Sequence, residues 1–337
     1  LICESDYQPF VDFGEMPIAN AFATKGELVD EYTFSMKVGF CESCYMVQLI
    51  EQPDREKMFH ENYAFFSSTS NYMKEHFKHF ANSVSELQDL NKDSFVVEIG
   101  SNDGIMLQNF VIDKIPCLGV EPSKNVAQVA SDKGIEVITE FFDQSLAESI
   151  VQIHQKADAI LSANVMCHIP YMHSIFDGVK TLLKDDGVFM FEDPYLGEVI
   201  EKTSFDQIYD EHVFLFSALS VSYLANMHDL ELVNVEPQIT HGGSMRYTIA
   251  HKGMKTVSQD VINLIYQEEK IGLDNKKAYL GFTDSVNRIK DDLIELLTKL
   301  KNDGKKVVAY GATSKSTTVT NYFGITPDLV ECIYDTT

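Results

Sequence analysis

The sequence predicts an α/β protein built around a doubly wound parallel sheet, with a small unit before the sheet and a Rossmann-like domain after it. Residues 95–99 form an apolar run without alternation, as in a strand covered on both faces, and a glycine turn and a helix start follow. A second strand, glycine turn and helix pattern recurs at 305–317, and a C-x-x-C pair lies at 41–44. These three observations define the predicted architecture.

Alternating strand-like and helical stretches make up most of the chain, as a doubly wound sheet requires. The segment from Pro53 to Asn91 is helical and aromatic, and we expect it to fold over the ligand crevice because it precedes the first sheet strand. Further helices are expected from about Tyr171 to Leu183 and over an amphipathic region from about Asp260 to Asn302. Strands are expected at 95–99, 116–120, 135–138, 157–161, 188–192, 247–250 and 305–310.

Composition and charge restrict the classes of function. The 337 residues are 45% hydrophobic and 23% charged, as in an ordinary soluble protein, and no apolar run has membrane length. No signal peptide is recognisable, so we expect a cytoplasmic protein. The formal charge of -24 argues against nucleic acid as a partner. The chain begins at Leu1 rather than Met, so we expect a fragment.

The glycine turn at 100–104 is predicted to contact a small molecule. Gly100 and Gly104 permit close approach of the backbone to a ligand and to the next helix. A dinucleotide fingerprint needs a glycine two residues after the first, where this sequence has Asn102. S-adenosylmethionine (SAM) has no phosphate, and its amino-acid end needs polar and acidic partners such as Glu98, Asn102 and Asp103. A tight turn without a ligand explains this motif about as well.

An acidic residue after the second strand favours SAM over NAD. The strand at 116–120 ends at Glu121, about twenty residues after the turn, where a carboxylate can bind both ribose hydroxyls. Later loops at the carboxyl ends of strands line the same crevice, so Phe141 and Phe142 are expected to flank the adenine. The predicted SAM contacts are Glu98, Gly100, Asn102, Asp103, Gly104, Glu121, Phe141, Phe142, Ala163 and Asn164.

The N-terminal cysteines predict a zinc site. Cys41 and Cys44 have the spacing of a zinc knuckle, and Cys3 is the third cysteine nearby. A cysteine directly before Leu1 would complete a second C-x-x-C, and we expect it to be the fourth ligand. A redox pair or unrelated thiols are the alternatives, but no thioredoxin-like pattern surrounds the pair. A unit so small, with little apolar content, is expected to depend on its metal.

Ionisable residues cluster at 209–212, just before an apolar run. Removal of a proton beside a carbonyl needs a base of near-neutral pKa and a hydrogen-bond donor, and His212 and Tyr209 can supply them. A helix cap with solvated carboxylates is the alternative, and these residues favour chemistry only slightly over it. His168, in the loop after the strand at 157–161, is expected to face the substrate side, although a hydrogen-bonded structural histidine explains it better when the residue is considered alone.

The sequence resembles the sugar C-methyltransferases of deoxysugar biosynthesis, which place the methyl branch on mycarose-like and tetronitrose-like sugars. The resemblance covers nearly the whole chain. It implies a class I SAM-methyltransferase fold and methylation of the carbon beside the ketone of a nucleotide-diphospho-4-keto-6-deoxysugar, usually dTDP-linked and usually at C-3. The motifs that carry it are the cysteine pairs, Met58-Phe59-His60, 97–104, Cys167-His168-Ile169-Pro170, Tyr209-Asp210-Glu211-His212-Val213, His241-Gly242-Gly243-Ser244, 311–315 and 321–325.

The resemblance also implies roles for individual residues. His212 would be the general base, and Tyr209, Glu211, His168 and Tyr63 would orient the sugar and stabilise the enolate. Glu211 and His212 are neighbours in sequence and need not face the same way, so a direct Glu–His pair is not implied.

Two glycine turns are expected to hold the anionic part of the substrate. Residues 311–317 open a helix with hydroxyls and Lys315, which suits a diphosphate, although a plain helix cap explains the pattern equally well. The turn at 240–247 pairs glycines with Arg246. The predicted substrate contacts are Ser67, Gly243, Ser244, Arg246 and Lys315.

We therefore expect a zinc-binding unit at 1–55, a SAM-binding methyltransferase domain at 56–200, an active-site segment with connecting strands at 201–255, and a nucleotide-sugar domain at 256–337 that looks cut short. A monomer or weak homo-oligomer is expected. The alternatives are an O- or N-methyltransferase, a non-catalytic zinc-containing binding protein, and an NAD enzyme.

Overall fold

The structure is a computed structural model that describes residues 2–20, 26, 30–53, 58 and 65–335. Within these residues the strands are β1 (Gln8–Pro17), β2 (Thr33–Phe40), β3 (Val47–Leu49), β4 (Val96–Ile99), β5 (Cys117–Val120), β6 (Glu136–Ile138), β7 (Ala157–Ala163), β8 (Leu183–Pro194), β9 (Phe214–Leu215), β10 (Leu230–Gln238), β11 (Ser244–His251), β12 (Ala309–Tyr310) and β13 (Ile333–Tyr334). The α-helices are α1 (Asn71–Leu87), α2 (Leu107–Ile112), α3 (Lys124–Asp132), α4 (Gln144–Ile153), α5 (Met172–Leu182), α6 (Leu196–Lys202), α7 (Ala218–Met227), α8 (Gln259–Ile271), α9 (Lys276–Asn302) and α10 (Ser314–Phe323). No described helix is long and apolar enough to cross a membrane.

The central sheet has seven strands in the order β10-β11-β8-β7-β4-β5-β6. Strands β6, β5, β4, β7 and β8 are parallel, whereas β11 runs antiparallel to both β8 and β10. The chain extends the sheet from β4 to one side and then returns to the other side through β7. A crevice therefore opens at the carboxyl ends of β4 and β7, where the order reverses.

The fold prediction is confirmed in this sheet. All four residues of β4 are buried, as the apolar run without alternation indicates. Each strand expected between residues 95 and 250 is present, and β10 is an additional strand that the sequence reasoning missed. Because β10 and β11 complete the sheet, it continues past residue 200, where the methyltransferase domain was expected to end.

The N-terminal unit is an antiparallel sheet of β1, β2, β3 and β9. The expectation of little apolar content is wrong, because the unit buries aromatic side chains against α9. The Tyr279 ring lies 5.0 Å from that of Phe10 and 4.4 Å from that of Phe40. Strand β9 begins directly after the 209–213 motif, so this sheet also anchors the predicted catalytic segment.

The helical region expected at 260–302 consists of two helices. Gly272, with φ of 84°, ends α8, and the Asn275 side chain caps α9 by accepting a hydrogen bond from Lys277 N–H at 3.1 Å. Beyond α9, β12 and β13 form a parallel pair joined through α10, which repeats the strand, turn and helix pattern of β4. The Thr318 hydroxyl of α10 donates to Ile208 O at 2.6 Å and ties this part to the 209–212 segment.

Candidate active site

The glycine turn after β4 lies against the loop that follows β7. Gly100 has φ of 72°, and a Cβ atom there would clash with Val165. Gly104 has φ of 76°, and a Cβ atom there would clash with Ile135. Gly100 lines the crevice, whereas Gly104 serves the packing of the turn on residues after α3.

Gly100→Ala is expected to lower the free energy of unfolding by about 2–4 kcal/mol, because alanine disfavours positive φ and its methyl group meets Val165. Gly134→Ala is the matched control, since Gly134 has φ of 84° and no atom lies within 4 Å of the place that an alanine methyl group would take. Urea unfolding measures both variants. Equal losses in the two variants would contradict the role of the Val165 contact.

One cavity extends from this turn along the carboxyl ends of the parallel strands. Predicted residues line it in four places: the 65–69 segment, the turn, the loops after β5 and β6, and the end of β7 with its following loop. His241, which was not predicted as a site residue, lines it as well. The predicted residues in its wall are Ser67, Gly100, Asn102, Glu121, Phe141, Phe142, Ala163, Asn164 and His168.

Glu121 is fixed by backbone amides and has acceptor capacity left. Its two carboxylate oxygens accept from Asn102 N–H at 2.9 Å and Ser123 N–H at 2.8 Å. Burial raises the pKa of Glu121, and the hydrogen bonds from the two backbone amides oppose that shift. Each carboxylate oxygen can accept a further bond, so the group fits a pair of adjacent ribose hydroxyls.

Other predicted SAM contacts are engaged by the protein itself. The Asn102 side chain donates to Phe65 O at 3.1 Å and accepts from Ser67 N–H at 3.0 Å. Asp103 accepts from the backbone and hydroxyl of Ser68. These contacts hold the 65–69 segment against the turn, as expected for a covering segment.

Glu98 is buried behind the turn and is not in the cavity wall. Burial, together with the charges of Glu121 and Asp103, raises the pKa of Glu98 well above its usual range. Glu98 and Asp103 therefore lie next to Glu121 without lining the cavity. Tyr63 lies outside the described residues.

His212 is buried and held in one orientation. Its Nδ1 lies 2.7 Å from Gln207 O. A carbonyl oxygen can only accept, so Nδ1 carries the hydrogen and Nε2 keeps its lone pair. Burial and the nearby His168 lower the pKa of His212 well below its usual range, although the Gln207 bond opposes this. The imidazole is therefore neutral at pH 7 with a lone pair for a proton, but its pKa is lower than the near-neutral value expected from the sequence, because the ring is buried.

His168 and Tyr209 lie beside His212, as the sequence predicted for a shared site. The His168 and His212 ring centroids are 5.3 Å apart, and those of Tyr209 and His212 are 4.2 Å apart. Burial lowers the pKa of His168 to about 3. His168 lines the cavity, so His212 lies next to a residue of the cavity wall without being part of the wall itself.

Glu211 is hydrogen-bonded to Asn20, a residue of the N-terminal unit that was not predicted from the sequence. Its Oε1 accepts from Asn20 Nδ2 at 2.6 Å, and Asn20 Oδ1 accepts from the Ser314 hydroxyl at 3.0 Å. Asp210 Oδ1 accepts from Ala19 N–H at 3.2 Å. The N-terminal unit, the 209–212 segment and the turn before α10 therefore meet at one point. The half-buried Lys315 is close enough to His212 to lower its pKa.

Arg246, which was predicted to contact an anionic substrate, lies in a buried ion pair and not in the cavity wall. It stands opposite Glu192 in the β11–β8 register, and its Nη2 and Nε lie 2.9 and 3.2 Å from Glu192 Oε2. The guanidinium also lies 3.7 Å from the ring centroid of Phe80. Glu192 Oε1 is 2.7 Å from His76 Nε2. Phe80 and His76 belong to α1, so Arg246 and Glu192 connect this helix to the sheet.

Gly243 and Ser244 also serve the protein's own packing. Gly243 has φ of 132°, and a Cβ atom there would lie 2.7 Å from Glu198 Cγ. The buried Ser244 hydroxyl donates to Thr240 O at 3.1 Å. Both residues fix the turn that presents His241 to the cavity.

Three thiols of the N-terminal unit can hold one metal ion. The Sγ atoms of Cys3, Cys41 and Cys44 lie within 4.8 Å of one another, and those of Cys3 and Cys41 are 3.4 Å apart. Tetrahedral zinc with bonds of about 2.3 Å separates its sulfur ligands by about 3.8 Å, so the cluster fits that ion. All six cysteines of the chain are free thiols.

Comparison with known proteins gives matches along the whole chain. Three family models match: "Putative zinc binding domain" at 1–59, "Methyltransferase domain" at 69–235 and "C-methyltransferase C-terminal domain" at 239–337. The curated C-methyltransferase NovU of Streptomyces niveus is 30% identical over 334 residues, which cover 98% of this chain and 79% of that protein.

Solved structures resemble about half of the chain. A SAM-dependent methyltransferase from Clostridium acetobutylicum ATCC 824 is 12% identical with a TM-score of 0.42, and the match covers 55% of this chain and 94% of that one. Magnesium protoporphyrin IX methyltransferase from Synechocystis PCC 6803, solved with bound SAM, is 10% identical with a TM-score of 0.40, over 53% of this chain and 79% of that one.

Proposed function

The chain belongs to the C-methyltransferase family, and on that premise we propose that it methylates the carbon beside the ketone of a nucleotide-diphospho-4-keto-6-deoxysugar. The observation that carries this proposal is the neutral, buried His212, whose Nε2 keeps its lone pair and whose ring centroid lies 5.3 Å from that of His168 in the cavity wall. A C–H bond beside a ketone is acidic enough for a positioned imidazole to remove its proton. The resulting enolate carbon is the nucleophile.

SAM supplies an electrophilic methyl group when it is bound, and the cavity residues fit it. Glu121 binds the ribose hydroxyls, and Phe141 flanks the adenine on the apolar side of the cavity. The 65–69 segment covers the turn and keeps water from the reacting carbon.

The substrate enters from the opposite side, where the three parts of the chain meet. Glu211, held by Asn20, binds hydroxyls of the sugar, and Tyr209 and His168 orient the ring beside His212. Lys315, at the N-terminal end of α10, faces this point and pairs with the diphosphate. One cation of an acidic chain thus lies where an anion must bind.

A direct test uses the full-length protein, SAM with a ¹³C-labelled methyl group and a dTDP-4-keto-6-deoxysugar, followed by heteronuclear NMR. We expect the labelled methyl group on a ring carbon adjacent to the ketone. A labelled methyl group on oxygen or nitrogen, or no transfer to any sugar of this class, would contradict the proposal.

Cys3, Cys41 and Cys44 are proposed to hold a structural zinc ion together with a fourth ligand. Cys44→Ser is expected to lose the metal and to lower the free energy of unfolding by about 3 kcal/mol, because a folded-state ligand set is broken. Metal content by atomic absorption and urea unfolding measure the two effects. Cys332→Ser, an exposed thiol outside the cluster, should keep both zinc and stability. Equal zinc content in the two variants would refute the site.

A further inference from the structure

His241 lies where the cavity meets the predicted base and the C-terminal lysine. It lines the same cavity as His168. It is close enough to His168 and His212 to lower the pKa of each, and Lys315 lowers the pKa of His241 in turn. His168, His212, His241 and Lys315 therefore lie near one another, and His168 and His241 line the cavity.

The backbone at His241 is held in a conformation that a histidine rarely adopts. His241 has φ of 52° and ψ of 28°, in the left-handed region, and Gly242 and Gly243 also have positive φ. This conformation costs a residue with a side chain about 1–2 kcal/mol. Lys202 Nζ donates to Gly242 O at 2.8 Å, and Gly243 N–H donates to Thr240 O at 2.9 Å. Such maintained strain is typical of functional sites.

Gln207 is hydrogen-bonded both to the backbone of His241 and to the ring of the predicted base. The Gln207 side-chain amide donates to His241 O, while Gln207 O accepts from Nδ1 of His212 at 2.7 Å. Gln207 is itself buried. Gln207 therefore links the backbone of His241 to the imidazole of His212.

Burial, with the charge of Lys315, lowers the pKa of His241 to about 4. At neutral pH the ring is uncharged and still has one N–H donor. A neutral imidazole can polarise a carbonyl oxygen during enolisation without transferring its proton.

We propose that His241 donates a hydrogen bond to the ketone oxygen of the substrate while His212 removes the neighbouring proton. This role rests on the proposed function. The C–H proton passes to Nε2 of His212, the electron pair of that bond moves onto the ketone oxygen, and the His241 N–H remains on its ring. The enolate carbon then forms a bond to the methyl group, the methyl–sulfur bond breaks to leave a thioether, and His212 returns its proton to water.

The test is His241→Gly in the full-length protein, because glycine adopts positive φ without strain and only the imidazole is lost. Enzyme-dependent deuterium entry beside the ketone is followed by NMR in heavy water without SAM. We expect exchange to be about 10²–10³-fold slower, as for loss of an oxyanion donor, and affinity for SAM within about threefold of wild type. Added imidazole should restore part of the rate in this variant and leave the wild type unchanged.

The variant His241→Asn distinguishes a hydrogen-bond donor role of His241 from a purely structural role. Asparagine tolerates left-handed φ and carries an N–H donor. We expect it to exchange faster than the glycine variant. Exchange at the wild-type rate in His241→Gly, or slow exchange that neither imidazole nor asparagine improves, would overturn the role. Absence of exchange in the wild type would instead remove the proposed function, and this role with it.

Discussion

Replacing His212 by asparagine is expected to lower turnover about 10²–10⁴-fold, as for loss of a general base, while the affinity for SAM stays unchanged. The asparagine amide can still donate to Gln207 O, which His212 approaches at 2.7 Å, but it cannot accept a proton. Turnover is measured with the keto sugar, and SAM affinity by calorimetry.

His173→Asn is the matched control. His173 is also hydrogen-bonded, with its Nδ1 2.9 Å from His228 Nε2, but it lies outside the cavity wall. We expect its turnover to be close to that of the wild type. Near-normal turnover in His212→Asn would remove the assignment of the base.

The pH profile provides a second signature of the same residue. Because burial and His168 hold the pKa of His212 well below 6.5, the base remains neutral as the pH falls through 6.5, and kcat/KM should stay level there. The free energy of unfolding, in contrast, is expected to change with pH. Below pH 6.5 the unfolded chain binds a proton at this histidine and the folded chain does not. The free energy of unfolding therefore decreases below that pH. A profile that is half-maximal at pH 6.5 would contradict the low pKa.

Glu121→Ala is expected to weaken SAM binding about 100-fold, because two hydrogen bonds from ribose hydroxyls to a charged acceptor are lost. The backbone amides of Asn102 and Ser123 also lose their acceptor. Glu136→Ala, at an exposed position on β6, removes the same charge away from the cavity and should bind SAM normally. Calorimetry measures the affinity of both variants for SAM. Equal affinities would mean that Glu121 does not bind the ribose.

Local features of the sequence predicted the sheet and much of the cavity. The unbroken apolar run of β4 and the spacing from Gly100 to Glu121 depend on neighbouring residues only, and both are as expected. The C-x-x-C pair likewise brought two thiols into a tight turn with Cys3 close by. Each of these predictions follows from the geometry of a strand, a turn or a short spacing.

Contacts between distant segments were not predictable in this way. Arg246 faces Glu192 because of the register of β11 on β8, and no local pattern fixes that register. Asn20 meets Glu211 and Ser314 across 191 and 294 residues of sequence. His241 was overlooked because the adjacent glycines suggested a turn, whereas that turn presents the histidine to the cavity.

The central claim is that His212 generates an enolate before methyl transfer. Its most direct measurement is NMR of the ring protons of a dTDP-4-keto-6-deoxysugar in heavy water, with wild type and His212→Asn, first without and then with SAM. We expect deuterium beside the ketone with the wild type and not with the variant, followed by a carbon-bound methyl group once SAM is added. Methylation of a heteroatom without exchange, or equal exchange by both proteins, would contradict the account.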